Sequence, residues 1–261
     1  MKAKKSFGQN WLKDDEVIEE IIKSANISDQ DTILEVGPGL GALTRQLIKT
    51  KAKIVAVEAD ADLVPRLQRM FQDSSNFQLE QADILKYNHS LLPGGYKIVA
   101  NIPYYLTSKL IRTFLESDNP PSEMVLMVQK EVAERIVAKP GAMSVLSFSV
   151  QYYARAEVVM AVSRELFEPV PKVDSAVIRI VLLPQPLFEA DGKKLFRLVK
   201  AGFGEKRKML RNSLSGGLNI TADQADQLLL AAGIASTARA QELAMSDWSK
   251  LLESAIALEL I

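Results

Sequence analysis

The strongest constraint on this chain is a rhythm. Five short runs rich in Val, Ile and Leu recur along its first half: "TILEVG" (32–37), "KIVAVE" (53–58), "FQLEQADI" (77–84), "KIVANI" (97–102) and "EMVLMVQ" (123–129). Between them the apolar residues repeat at helical spacing, with Leu43, Leu47 and Ile48 on one helix face and Leu63, Leu67 and Met70 on another. Strands that alternate with helices pair in parallel, because the crossover helix returns each strand to the same end of the sheet. Near-continuous apolar runs fit strands covered on both faces. The expected fold class is therefore α/β, with a mostly parallel sheet.

After residue 130 the pattern changes. "KEVAERIVA" reads as a helix and leads, past "KPGA", to a second helical run, "SVLSFSVQYY" (144–153). Two more strands follow, "AEVVMAVS" (156–163) and "SAVIRIVLL" (175–183), joined by the loop "RELFEPVPKVD" with no helix between them. So close a pair is expected to be antiparallel, since a parallel connection needs a crossover. "LPQPLFEADG" (183–192) reads as a linker from its prolines and glycine, and the chain beyond it is helical. There "ADQADQLLLAAG" ends on a capping Gly233, and Ser246 is the expected N-cap of "MSDWSKLLESAIALEL". Two domains are expected, residues 1–185 around the sheet and residues 186–261 all helical.

Composition narrows the chemistry. With 48% hydrophobic and 25% charged residues among 261, the chain can build a full core. It has no cysteine, which excludes a disulfide framework and a thiolate metal site. His89 is the only histidine, in the loop "YNHSLLPGG", so no metal is expected. "MKAKKSFGQNWL" lacks the apolar core of a secretory signal, and no stretch approaches the roughly 20 apolar residues of a membrane span. A soluble, cytoplasmic protein is expected.

The first strand runs into "EVGPGLGALT", where glycines at 37, 39 and 41 permit a tight turn and close approach of a ligand to the backbone. The pattern is unspecific. It reads as G-x-G-x-G or, with Ala42, as the G-x-G-x-x-A of a dinucleotide fold, and such turns also occur without a ligand. Glu58 closes the second strand, where a carboxylate can accept hydrogen bonds from both hydroxyls of a ribose, in either kind of cofactor. Asp83, near the end of the third, can accept from the exocyclic amine of an adenine packed on Ile84. Each acid taken singly is as readily a loop carboxylate or a helix cap.

The fourth strand ends in "NIPY", Asn101 to Tyr104. An amide oxygen and a neighbouring backbone carbonyl can each accept one hydrogen of a planar NH2 group, which turns the nitrogen lone pair out of conjugation and towards an electrophile. Pro103 fixes φ and removes a competing N–H. Tyr104 offers a flat face on which a base can stack. Alone, the tetrapeptide is a turn with a buried tyrosine; after the glycine turn, Glu58 and Asp83, it points to methyl transfer onto an amine.

Net charge is zero, yet the charge is unevenly placed. Lys2, Lys4, Lys5 and Lys13 give residues 1–13 a charge of +4. Lys193, Lys194, Arg197, Lys200, Lys206, Arg207, Lys208 and Arg211 against Glu205 give residues 193–211 a charge of +7, so the remainder carries −11. Two basic segments on an acidic body suit a phosphate-contacting footprint, although solvated lysine-rich faces give the same count.

Taken together, "FGQNWL", "EVGPGLGALT", Glu58, "ADIL", "NIPY", "LFEPVPKVDSAVIRI" and "FGEKRKMLRNSL" resemble the ribosomal RNA adenine dimethyltransferases over essentially the whole chain. Departures are mild: Trp11 stands where phenylalanine is usual, Ala82 where glycine is common and Ile102 where leucine is frequent. The resemblance implies a Rossmann-like class I methyltransferase sheet with a small helical RNA- or ribosome-binding domain. It implies S-adenosylmethionine as methyl donor, held by Asn10, Leu12, Gly37, Glu58, Asp83 and Asn101. Asn101, Tyr104 and Phe167 would serve catalysis, Phe167 walling the target base opposite Tyr104; by itself Phe167 reads as a core residue. The implied reaction is dimethylation at N6 of two adjacent adenosines in the 3′-terminal hairpin loop of small-subunit rRNA, within a pre-ribosomal 30S particle, by a monomer that contacts no membrane. Two alternatives stand beside it. A large-subunit rRNA adenine methyltransferase of the macrolide-resistance type would share the pocket residues, and a non-catalytic assembly or transcription factor would keep the fold. "FGEKRKMLRNSLSGGL" and "PKVDSAV" favour the small-subunit enzyme.

Overall fold

The computed structural model describes residue 4 and residues 7–205 and 207–261. The chain forms two compact units, one of residues 1–134 and 155–182, the other of residues 135–154 and 183–261.

In the first unit the chain runs through β1 (Trp11–Leu12), α1 (Asp15–Ser24), β2 (Thr32–Val36), α2 (Ala42–Lys49), β3 (Lys53–Glu58), α3 (Val64–Phe71) and β4 (Phe77–Gln81). It continues with β5 (Lys97–Asn101), α4 (Thr107–Leu115), β6 (Glu123–Gln129) and α5 (Lys130–Ile136), whose last two residues belong to the other unit. Helix α6 (Val145–Tyr153) lies in the other unit, and β7 (Ala154–Val162), β8 (Phe167–Glu168) and β9 (Ser175–Leu182) belong, but for Ala154, to the first. Among the described residues, seven strands form one sheet in the order β4-β3-β2-β5-β6-β9-β7. The first five pair in parallel, and β9 runs antiparallel to β6.

All five expected parallel strands form where the apolar runs lie. The third stops at Gln81 rather than Ile84, because Asp83 opens a turn: its carboxylate accepts the Leu85 amide at 3.0 Å and its carbonyl the Lys86 amide at 2.9 Å. Strand β2 is buried throughout, as a central strand covered on both faces should be. Ile18 and Ile21 of α1 and Leu43 and Leu47 of α2 pack with Ile33, Ile54, Val99 and Val125, while Leu63, Leu67 and Phe71 form a smaller cluster. The chain leaves β2 for β3 on one side and later returns to β5 on the other. That reversal opens a crevice at the carboxyl ends of β2 and β5.

The second unit contains α6, α7 (Gly192–Phe203), α8 (Leu210–Leu218), α9 (Ala222–Ala231) and α10 (Met245–Ala257). Its core gathers Phe148, Leu195, Leu198, Leu214, Trp248 and Leu251. A division at residue 185 misplaces α6: Phe148 lies edge-on to Phe196 at 5.9 Å and to Trp248 at 5.7 Å, so this helix supplies the C-terminal core. Asp191 caps α7 by accepting the Lys193 and Lys194 amides, and Gly233 follows α9 with φ +68°. Ser246 is not a cap. Helix α10 begins at Met245 after Ala244, and Asp247 reaches back to the Ala244 amide at 2.9 Å, so the acid satisfies the helix start that a serine hydroxyl was expected to serve.

Candidate active site

All eight residues singled out in the sequence line one cavity of about 820 Å³: Asn10, Leu12, Gly37, Glu58, Asp83, Asn101, Tyr104 and Phe167. Three of them come from consecutive positions at the carboxyl edge, with Gly37 following β2, Glu58 ending β3 and Asn101 ending β5.

The glycine turn and Glu58 form one hydrogen-bonded unit. Gly37, at φ +67°, donates its N–H to the Val57 carbonyl at 2.9 Å, and a Cβ there would meet nothing within 4 Å. Space above this glycine is therefore open, and its left-handed backbone is what demands glycine. Gly39 donates to Glu58 Oε2 at 3.1 Å, and Glu58 Oε1 accepts the Asp60 amide at 2.9 Å. Burial pushes the Glu58 carboxyl up, and these two amides pull it part of the way back. Asp83 is exposed beside the buried Ile84.

Glu35 escaped notice in the sequence. It is 1% exposed and lines the cavity just before the glycine turn; Oε2 accepts the Thr44 hydroxyl at 2.8 Å while Oε1 has no partner among the described residues. Burial pushes its carboxyl up to about 8; the Thr44 bond opposes the shift and nearby Glu58 adds to it. The available signal was a single acid within the apolar run "TILEVG", where an unpaired carboxylate is costly unless something meets it.

At the other side of the cavity, Asn101 is half-buried, with Nδ2 3.5 Å from the Asn10 carbonyl oxygen, so the amide oxygen is left as an acceptor. The Tyr104 hydroxyl lies 2.7 Å from Ser175 Oγ. Phe167 is 2% exposed, and its strand β8 pairs antiparallel with β1, setting Leu12 opposite Phe167 and Trp11 opposite Glu168. Neither two-residue strand carries a readable periodicity, so sequence alone could not pair segments so far apart. The same N-terminal segment is tied at Asp60, which accepts from Lys4 Nζ at 2.5 Å and Gln9 Nε2 at 3.0 Å. Burial works against charge on Asp60, yet the bonds from Lys4, the Asp62 amide and Gln9 outweigh it and hold the carboxyl below its usual range.

The two basic segments differ in kind. Lys4 pairs with Asp60 and Asp62, and Lys13 with Glu168, so these two cations are engaged within the chain. Lys2, Lys5 and Lys206 lie outside the described residues. On α7, Lys193, Arg197 and Lys200 are exposed at successive turns of one face, opposite the buried Leu195, Leu198 and Val199. His89 bonds Ser117 Oγ at 2.5 Å and packs on Phe114, and no metal-holding group of His, Asp and Glu exists among the described residues. Nor is any described helix long and apolar enough to cross a membrane.

Residues 1–257 match the family model described as ribosomal RNA adenine dimethylase. The chain belongs to this family. A ribosomal RNA small subunit methyltransferase A of Dehalococcoides mccartyi is 43% identical over 255 residues, covering 96% of this chain and 88% of that protein. The protein of the same name from Clostridioides difficile is 40% identical, covering 96% and 90%. Among solved structures, a dimethyladenosine transferase from Plasmodium falciparum superposes with a TM-score of 0.82 at 25% identity, covering 95% of this chain and 98% of that one. The 23S rRNA methyltransferase ErmE superposes with a TM-score of 0.75 at 27% identity, covering 94% and 98%. Both likenesses extend past the parallel sheet into the helical unit, so this adenine dimethylase resembles its relatives over both of its units.

Proposed function

We propose that this protein is the S-adenosylmethionine-dependent enzyme that dimethylates N6 of two adjacent adenosines in the 3′-terminal hairpin loop of small-subunit rRNA. The observation that carries the reading is the convergence of Gly37, Glu58, Asp83 and Asn101 on one cavity at the carboxyl edge of the sheet. The residues suit the methyl donor. Glu58 is placed to take ribose hydroxyls and Asp83 an adenine amine. Open space above Gly37 admits the remainder, and the unpartnered Glu35 Oε1 awaits a donor such as an ammonium. When bound, the donor supplies a methyl group on a positively charged sulfur.

The chain's own part is positioning. Asn101 offers its amide oxygen to one N–H of the target amine, so the nitrogen lone pair turns into the cavity. Tyr104 and Phe167 hold the base from its two faces. Holding reactants in line is worth about 7 to 11 kcal/mol; once the N–C bond forms and the S–C bond breaks, the nitrogen carries a surplus proton that is lost to water, so this reading assigns no residue as general base. The base must leave its stack to enter, at a cost of a few kcal/mol, which favours a loop as substrate. The exposed cations of α7 suit contacts with RNA phosphates. The pre-ribosomal 30S particle is the expected substrate form, in the cytoplasm, with the enzyme as a monomer.

ErmE acts on 23S rRNA and shares the fold, but the small-subunit relatives are far more similar in sequence, 43% against 27% identical. The deciding experiment maps methylated adenosines by mass spectrometry in both rRNAs from cells carrying the intact gene, no gene or Asn101→Ala. Expected is loss of two adjacent dimethyladenosines from small-subunit rRNA in the latter two. Loss from large-subunit rRNA would establish the alternative, and undiminished modification with Asn101→Ala would remove Asn101 from the chemistry.

A further inference from the structure

Trp11 presents a donor with nothing to receive it. Its Nε1 is buried and has no hydrogen-bond partner among the described residues, although the side chain lines the cavity. An indole N–H can only donate, so the missing partner must be an acceptor. A buried unmet donor costs free energy and calls for an explanation.

The ring is held in place. Its backbone pairs with Glu168, and the next residues are fixed by Leu12 opposite Phe167 and by the Lys13 amide on the Leu166 carbonyl at 3.0 Å. Its pyrrole edge rests on the glycine turn: a Cβ built on Gly39 would lie 3.5 Å from Cδ1 and 3.6 Å from Nε1. Both Glu58 oxygens beside this turn already accept backbone amides. Burial alone would not suffice as an argument. Trp248 Nε1 is also unpartnered, but that ring is packed among Phe148 and Phe203 in the helical core rather than lining the described cavity.

We propose that Trp11 Nε1–H donates a hydrogen bond to an oxygen of the bound methyl donor, adding Trp11 to the residues that hold it. The inference rests on the reading of the cavity as a methyl-donor site. Two oxygen classes satisfy it, the carboxylate of the amino-acid end and the ribose hydroxyls.

Calorimetry on the full chain tests this with S-adenosylhomocysteine and with 5′-methylthioadenosine, which keeps the ribose and lacks the carboxylate. Trp11→Phe keeps an aromatic ring and deletes the donor. Expected is a weakening of S-adenosylhomocysteine binding by about tenfold, in a variant whose cooperative thermal transition shows that it is folded. Loss confined to S-adenosylhomocysteine assigns the carboxylate; equal loss for both compounds assigns the ribose. Unchanged affinity for both overturns the proposal. The wild-type chain gives a second reading that needs no cavity variant: of its two indole N–H resonances, Trp11 and Trp248, one should move downfield on adding S-adenosylhomocysteine, and Trp248→Phe identifies which. A Trp11 resonance that does not move also overturns it. Failure of the wild-type chain to take up S-adenosylhomocysteine would instead sink the reading beneath it, a result distinct from normal wild-type uptake with an indifferent Trp11.

Discussion

The Tyr104 hydroxyl is joined to Ser175 Oγ at 2.7 Å, linking the loop after β5 to the first residue of the antiparallel strand β9. Burial pushes the phenol up; the Ser175 bond opposes the shift and nearby Asp174 adds to it. The ring is thus a neutral, fixed plane and not a base. Tyr104→Phe should keep kcat/KM within a few-fold while losing about 1 kcal/mol of stability, because Ser175 is fully buried and loses its partner. Tyr104→Ala should lower kcat/KM about ten- to a hundredfold through lost stacking. Methylation of a loop oligonucleotide and urea unfolding together separate the two effects.

Glu35 makes stability depend on pH in a stated direction. Its folded carboxyl titrates near 8 against 4.5 for the ordinary group. The folded chain therefore holds the extra proton between those values, and stability falls as pH rises through that window. Glu35→Gln keeps an acceptor for Thr44 and removes the titration. Urea midpoints of variant and wild type should nearly coincide at pH 5 and diverge at pH 9, with the variant more stable by about 1 to 3 kcal/mol. A parallel pH dependence in both proteins would show that Glu35 ionises without penalty.

Asp60 acts with the opposite sign. Its carboxyl is held below its ordinary 3.8, so its contribution is present at neutral pH and is lost as pH falls through the folded value. Asp60→Asn leaves Lys4 with one carboxylate partner, Asp62 at 2.6 Å, and weakens the tie that holds Lys4 and Gln9 to Asp60. The expected result is faster release of S-adenosylhomocysteine in stopped-flow measurements and about fivefold weaker binding, together with a stability loss of about 1 to 3 kcal/mol at pH 7 that shrinks in acid.

Two adjacent glycines in α8 should respond oppositely to the same change. At Gly217 a Cβ would lie 2.6 Å from the Ala201 Cα of α7, a backbone contact that cannot yield cheaply. At Gly216 it would meet nothing within 4 Å. Gly217→Ala should destabilise by about 1 to 3 kcal/mol through overpacking, and Gly216→Ala should stabilise by about 0.5 to 1 kcal/mol through helix propensity. Thermal melting of each variant checks the pair; a stabilised Gly217→Ala would mean that α7 and α8 pack less closely than they do here.

What the sequence determined by itself was local. The period of Leu43, Leu47 and Ile48 and the runs ending in Gly37, Glu58 and Asn101 encode element type and strand direction, because alternating strands and helices leave few topologies open. Those same strand ends place the glycine turn, one acid and an amide on one edge, and Asp83 follows in the turn after β4, so most of the cavity's polar lining was legible. Tertiary structure decided whatever depends on pairing between distant segments. Leu12 meets Phe167 through strands of two residues, too short to show a period. Phe148 sits in a helix whose apolar residues would suit either core, and the aromatic cluster of Phe196 and Trp248 settles the choice. Glu35 and Trp11 acquire their character from burial, and Asp60 from burial and from partners far along the chain. Burial of a polar group is a property of the whole packed molecule, and no short stretch of residues carries it.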